Sequence, residues 1–141
     1  MSNSLEIFDS ETLFVDVLLP VPIPQAFTYR VPRHLIGIIK TGSRVIVPFG
    51  RNRVLTGIIS NVHSTPPEKY QAKYISELMD EEAIVTSSQL WLFQWVADYY
   101  MCYAGEVMNM GLPSGLKVNS ESRIQRNPDF FEHDLLELKE Q

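Results

Sequence analysis

The 141-residue sequence predicts a mainly β domain of the α+β class, with about five strands and one helix packed toward its C-terminal side. Three observations predict it. Five short segments rich in β-formers are separated by proline and glycine turns. One later segment carries both a helix-capping signature and helical periodicity. The polar, acidic ends show neither pattern, and no internal repeat is present.

The first strand is expected at residues 13–19, where apolar and polar positions alternate as in a half-buried strand. Pro20, Pro22 and Pro24 end it. Each lacks an amide donor and biases its predecessor toward extended geometry, so this stretch reads as a stiff connector. Residues 26–31 resume the extended pattern, with Phe27 and Tyr29 on one face and Thr28 and Arg30 on the other, and Pro32 stops them. Thr41-Gly42 turns the chain into a strand at 44–48, closed by Pro48-Phe49-Gly50. A fourth strand is expected at 53–62, where Gly57 signals a bulge or close approach by another backbone. Residues 64–71, with Pro66-Pro67, read as a loop, and 72–79 as the last strand.

Thr86 followed by Gln89, with Val85 and Leu90 flanking, is a capping box with a hydrophobic staple. The helix should run to about Tyr103. Leu92, Trp95, Val96, Tyr99 and Tyr103 follow helical spacing, and few positions are polar, so most of its circumference is expected to be covered. Trp91, Trp95, Tyr99 and Tyr100 are then packing residues. The glycines and Pro113 of 104–116 leave that stretch without an assignment. Residues 1–12 read as an acidic tail, 13–116 as the folded domain, and 117–141 as a linker toward a further domain, ending in a short amphipathic acidic segment.

Composition narrows the function classes. A 45% hydrophobic content suffices for one core, and no stretch approaches the roughly 20 apolar residues of a membrane span. The acidic N-terminus does not look like a signal peptide, so a cytoplasmic location with no membrane partner is expected. Cys102 is the single cysteine, which excludes an intrachain disulfide and a thiolate zinc cluster. His34, His63 and His133 are too scattered for a typical metal site and read as surface or loop histidines. Phosphate-cradling glycine motifs are missing, and the carboxylates Asp80, Glu81 and Glu82 read as a solvated cluster beside the helix cap. No catalytic residue, metal or cofactor is expected in this chain.

The net charge of −5 argues against nucleic acid until it is divided. Residues 1–11 and 127–141 carry −3 and −4, leaving +2 between them. Residues 17–67 hold Arg30, Arg33, Lys40, Arg44, Arg51 and Arg53 without one acid, which permits a positive surface but equally a solvated face.

Three segments in order then carry a resemblance: Leu19-Pro-Val-Pro-Ile-Pro-Gln-Ala-Phe-Thr-Tyr-Arg-Val-Pro32, Gly42-Ser-Arg-Val-Ile-Val-Pro-Phe-Gly-Arg51 and Trp95-Val-Ala-Asp-Tyr-Tyr100. With Val54-Leu-Thr-Gly-Ile-Ile59 between the last two, residues 14–116 resemble the N-terminal DNA-binding domain of the PriA (primosomal protein N prime) family. The resemblance implies a small OB-like β-barrel with a packed helix. It also implies non-sequence-specific binding of single-stranded DNA at the 3′ end of the nascent leading strand of a stalled fork. The family's winged-helix, helicase and zinc-binding parts, with their ATP, Mg and zinc, have no counterpart in these residues. On this reading the chain is one domain of a longer helicase. Forked DNA and other primosome and replication-restart proteins are the partners implied.

Carried over by position, Phe27, Thr28, Tyr29, Gly50 and Lys73 would form the 3′-end pocket, with Arg30, Arg51 and Arg53 as secondary contacts to the DNA backbone. The chemistry suits the task. Aromatic faces stack any base, a glycine lets a sugar or phosphate approach the main chain, and lysine is a compact cation for a phosphate oxygen. Alternate strand aromatics ordinarily face a core, but the resemblance implies that at least one of Phe27 and Tyr29 lines the pocket. One position departs from the family, where an acid commonly stands at Thr28; a hydroxyl both donates and accepts, whereas a carboxylate only accepts. Two other readings stay open. One is a protein-interaction module docking a peptide on exposed aromatics or on 130–141, and the other is a general single-strand binder without end selection.

Overall fold

In the computed structural model, residues 12–116 are described. They form β1 (Phe14–Leu18), β2 (Phe27–Arg30), β3 (Arg44–Pro48), β4 (Val54–His63), β5 (Glu77–Leu78), α1 (Ser87–Tyr100) and α2 (Ala104–Gly111). A 3-10 turn at Arg33–Leu35 follows β2. Another, Ser114–Leu116, ends the described chain. The sheet order is β2-β1-β4-β3-β5, with every named pair antiparallel.

The sheet closes on itself. Tyr74 bridges Arg30 in parallel, with the Arg30 amide donating to Lys73 O and the Ile75 amide to Arg30 O. A few residues on, the Ser76 and Met79 amides bond Ile46 and Arg44 of β3. Residues 73–79 thus join the two free edges into an OB-like barrel, which removes the unpaired strand edges of an open sheet. This explains why the expected strand at 72–79 is reduced to two regular residues: its first half serves β2 and its second half β3.

Side-chain alternation sorts two cores. Val15, Val17, Tyr29, Val45, Val47 and Ile59 fill the barrel, while the next residue back, Ile58, points the other way into a layer with Val85, Phe93, Ala97, Val107 and Met108. The proline connector leaves β1 through two successive turns in which the Val21 amide bonds Leu19 O and the Ile23 amide bonds Val21 O. Gly57 is a point of close approach: a Cβ there would overlap the Val17 side chain and lie 2.8 Å from Leu18 O. The β1–β4 bulge lies elsewhere, at Asp16/Val17, where the register passes from Asn61 to Ile59 and skips Ser60.

The capping box of α1 forms as expected: the Gln89 amide donates to Thr86 Oγ1, and Gln89 Oε1 accepts from the Thr86 amide. The helix stops earlier than Tyr103, because Met101 turns left-handed at φ 55° and its amide bonds Ala97 O. A second helix, α2, begins three residues later in the stretch left unassigned and packs back on α1 through Phe93.

The expected coverage of α1 is overturned. Its buried stripe is Phe93 and Ala97, flanked by Leu90 and Val96, so the face through Leu92, Trp95 and Tyr99 turns outward. Trp91, Tyr99 and Tyr100 are 66%, 67% and 70% exposed, and the Trp95 and Tyr99 rings stack on each other, 5.4 Å between centroids. The aromatic spacing was helical, but α2 covers the neighbouring stripe.

Candidate nucleic-acid interface

Phe27 opens β2 directly after the connector, half-buried, with its ring edge-on to Phe49 at 5.6 Å and tilted against Tyr70 at 5.7 Å. Ile23, Pro24, Gln25, Ala26, Phe27 and Tyr70 line a depression of about 300 Å³. Its walls are mostly apolar and aromatic, and the exposed Tyr70 forms one side of it.

Phe49 connects this depression to the turn after β3. Gly50 there adopts φ +74°, a conformation that disfavours any residue with a Cβ, and a Cβ at this position would meet nothing within 4 Å. The turn therefore offers bare main chain to an approaching group. Lys73 Nζ donates to Gly50 O at 3.2 Å, and among the described residues no carboxylate pairs with it. Phe27, Gly50 and Lys73 form one continuous surface through Phe49, although only Phe27 of the three lines the depression itself.

Tyr29 lies elsewhere. It is 3% exposed inside the barrel, and its hydroxyl donates to Pro48 O at 2.9 Å. Burial, with a smaller contribution from Tyr70, pushes the phenol up to about 12. Its ring has no free face for a base; it anchors the start of the Pro48-Phe49-Gly50 turn from within.

Thr28 points to the outside of the barrel, as strand alternation requires. Its amide donates to the Tyr70 hydroxyl at 2.8 Å, and its Oγ1 donates to Asp16 Oδ1 at 2.7 Å. Phe14, Asp16, Arg30 and His63 belong to the same face by register, Asp16 opposite Thr28 and Phe14 opposite both Arg30 and His63. The Arg30 guanidinium sits between the Phe14 and Tyr74 rings, 5.7 and 5.6 Å from their centroids. Such stacking holds the planar cation flat without neutralising it.

The other cations divide by partner. Arg44 makes a two-pronged pair with Asp80, Nε to Oδ2 at 2.6 Å and Nη2 to Oδ1 at 2.8 Å, and Lys40 pairs with Glu82 at 3.1 Å. The hydrogen bond from Arg44 holds Asp80 below the usual carboxylate range. Two of the three carboxylates read as a solvated cluster are thus tied to β3 and the turn before it. Arg33, Arg51 and Arg53 are exposed, with no carboxylate partner among the described residues.

Tyr70 and Tyr74 escaped the sequence reading because 64–71 carries loop signals and the alternation of 72–79 suggested one regular strand. Asp16 and His63 were missed because their link is made across strands. Among the described residues no group of three or more His, Cys, Asp or Glu gathers in a metal-binding arrangement, and no helix is long and apolar enough to cross a membrane.

Comparison with known proteins identifies the family of the domain. Residues 16–113 match the family model described as the 3′ DNA-binding domain of PriA. The replication restart protein PriA of Bacillus subtilis is 29% identical over 115 residues, covering 79% of this chain and 14% of the relative. Its counterpart in Buchnera aphidicola is 33% identical over 101 residues, 72% of this chain and 14% of the relative. That of Treponema pallidum is 30% identical over 105 residues, 72% and 16%. The chain matches only 14% to 16% of the length of these relatives, and what it shares with them is one domain. The chain belongs to the PriA 3′ DNA-binding domain family.

Proposed function

We propose that this domain binds single-stranded DNA without reading its sequence and takes the 3′-terminal nucleotide at the Phe27–Tyr70 depression. The observation that carries the reading is the conjunction of an aromatic-lined hollow with cations that have no carboxylate partner among the described residues. Phe27 and Tyr70 supply ring surface, Lys73 joins them through Gly50 and Phe49, and Arg30 lies farther along β2 on the strand's outer face. Base stacking on such rings contributes about 1–3 kcal/mol per base and tolerates any base, and the cations supply the salt-dependent attraction to phosphate. Gly50 leaves its main chain open to a sugar or phosphate, and Tyr29 acts from behind by fixing that turn. Arg51 and Arg53, exposed just beyond it, extend the positive track along the DNA backbone.

In a replication restart protein, as the relatives are named, such a domain would hold the 3′ end of the nascent leading strand at a stalled fork. Unwinding and nucleotide hydrolysis would belong to other parts of a longer polypeptide. The test is fluorescence anisotropy with matched oligonucleotides carrying a free 3′ hydroxyl or a 3′ phosphate. Tighter binding of the free end is expected; equal affinity would refute end recognition and leave a general single-strand binder.

The exposed Trp91, Trp95, Tyr99 and Tyr100 favour a second role on the helical layer. Helices α1 and α2 carry the acids Asp98 and Glu106 and no Lys or Arg, so this surface suits protein contact better than phosphate.

A further inference from the structure

We propose that Asp16 is the group that accepts the terminal 3′ hydroxyl and turns away a 3′ phosphate or a continuing chain, an assignment that rests on the 3′-end reading above. Asp16 lies on β1 directly opposite Thr28 of β2. Its Oδ1 takes two donors, Thr28 Oγ1 at 2.7 Å and His63 Nε2 at 3.0 Å. The His63 role follows from its other nitrogen: the Thr65 amide donates to Nδ1, so Nδ1 is an acceptor and the ring proton sits on Nε2, facing Asp16. Both donors converge on one oxygen. The second, Oδ2, has no hydrogen-bond partner among the described residues, and the side chain is 27% exposed.

The carboxylate is therefore oriented from below and open on its outer side. The backbone beneath it is also held, because the bulge falls at this residue and the Ser60 hydroxyl donates to Asp16 O at 3.1 Å. An ionised carboxylate accepts and never donates, so it bonds a hydroxyl strongly. It repels a phosphate, which has no proton to offer and carries a charge of about −1 within a chain and nearly −2 at a terminus.

Arg30 supplies the complementary half. It follows Thr28 by two residues on the same face, and no carboxylate among the described residues pairs with it. Two residues of strand advance about 6.6 Å, comparable to the reach of one extended nucleotide. Arg30 then holds the phosphate entering the last nucleotide while Asp16 meets the hydroxyl that leaves it. The pair measures a chain end.

The experiment uses the full chain and 5′-labelled oligonucleotides ending in a 3′ hydroxyl, a 3′ phosphate or a 2′,3′-dideoxy sugar, titrated by anisotropy. The original protein is expected to prefer the hydroxyl by about tenfold or more, since a hydrogen bond to a charged group is gained and a like charge avoided. Asp16→Asn should bind the hydroxyl and phosphate ends within about twofold of each other, with absolute affinity for the phosphate end increased. That increase cannot arise from misfolding. Thr28→Val removes one of the two donors that orient the carboxylate, so it should reduce the preference without abolishing it. If the original protein selects the hydroxyl and Asp16→Asn selects it equally well, the Asp16 assignment is wrong and the 3′-end reading stands. If the original protein binds all three ends alike, the 3′-end reading falls and takes this assignment with it.

Discussion

Lys73→Ala isolates one electrostatic contact from the rest of the interface. The side chain is exposed, its one hydrogen bond goes to Gly50 O, and no carboxylate pairs with it among the described residues. Its loss should leave stability within about 0.5 kcal/mol, because no packing or buried partner is disturbed. Binding responds differently. For a single strand each neutralised phosphate contributes about −0.7 to the slope of log affinity against log salt, so removing one contact weakens binding about 5-fold at 0.1 M salt and about 25-fold at 0.01 M, with convergence near 1 M. Lys73→Arg keeps the charge and should keep the slope. Anisotropy titrations with a 3′-hydroxyl oligonucleotide at four or five salt concentrations provide the measurement. Parallel lines for Lys73→Ala and the original protein would show that Lys73 touches no phosphate and would remove it from the interface.

Three further outcomes test the fold around the site. Gly57→Ala should destabilise the domain by about 1–3 kcal/mol in urea unfolding, since the added methyl overlaps Val17 and crowds Leu18 O; an unchanged midpoint would refute the close approach of β1. Tyr29 ionises near 10 when unfolded and at about 12 when folded, so its contribution is fully present below pH 10. It is lost as pH rises through 12, up to about 2.7 kcal/mol. Tyr29→Phe should flatten that decline in pH-dependent urea unfolding, and an equally steep profile would place the ring outside the core. Trp91→Gln and Trp95→Gln should each shift stability by no more than about 0.5 kcal/mol, with both indoles open to acrylamide quenching in the original protein. A loss of several kcal/mol would return these rings to the interior.

Much of this was readable in the chain itself. Strand positions, the proline connector and the capping box at Thr86 are local properties of backbone sterics and nearby hydrogen bonds, and they appear where alternation and punctuation indicated. The candidate cluster was partly legible. The motif resemblance singled out Phe27, Gly50 and Lys73, which the fold joins through Phe49, and it also singled out Tyr29, which the fold buries.

What the sequence by itself determined is therefore local: where the chain extends, turns and caps, and which family motifs it carries. The tertiary structure decided which side of each element meets another. A helical period defines a face but not the neighbour that covers it, so α2 could leave Trp95 and Tyr99 outside while burying Phe93 and Ala97. Likewise, alternation places Thr28 on the face opposite Phe27, but only cross-strand register sets it against Asp16, twelve positions away in the chain. Barrel closure depends on the same kind of pairing, because residues 73–79 must find two strands far from them in sequence. Such contacts arise from packing between distant segments, and no short-range preference encodes them.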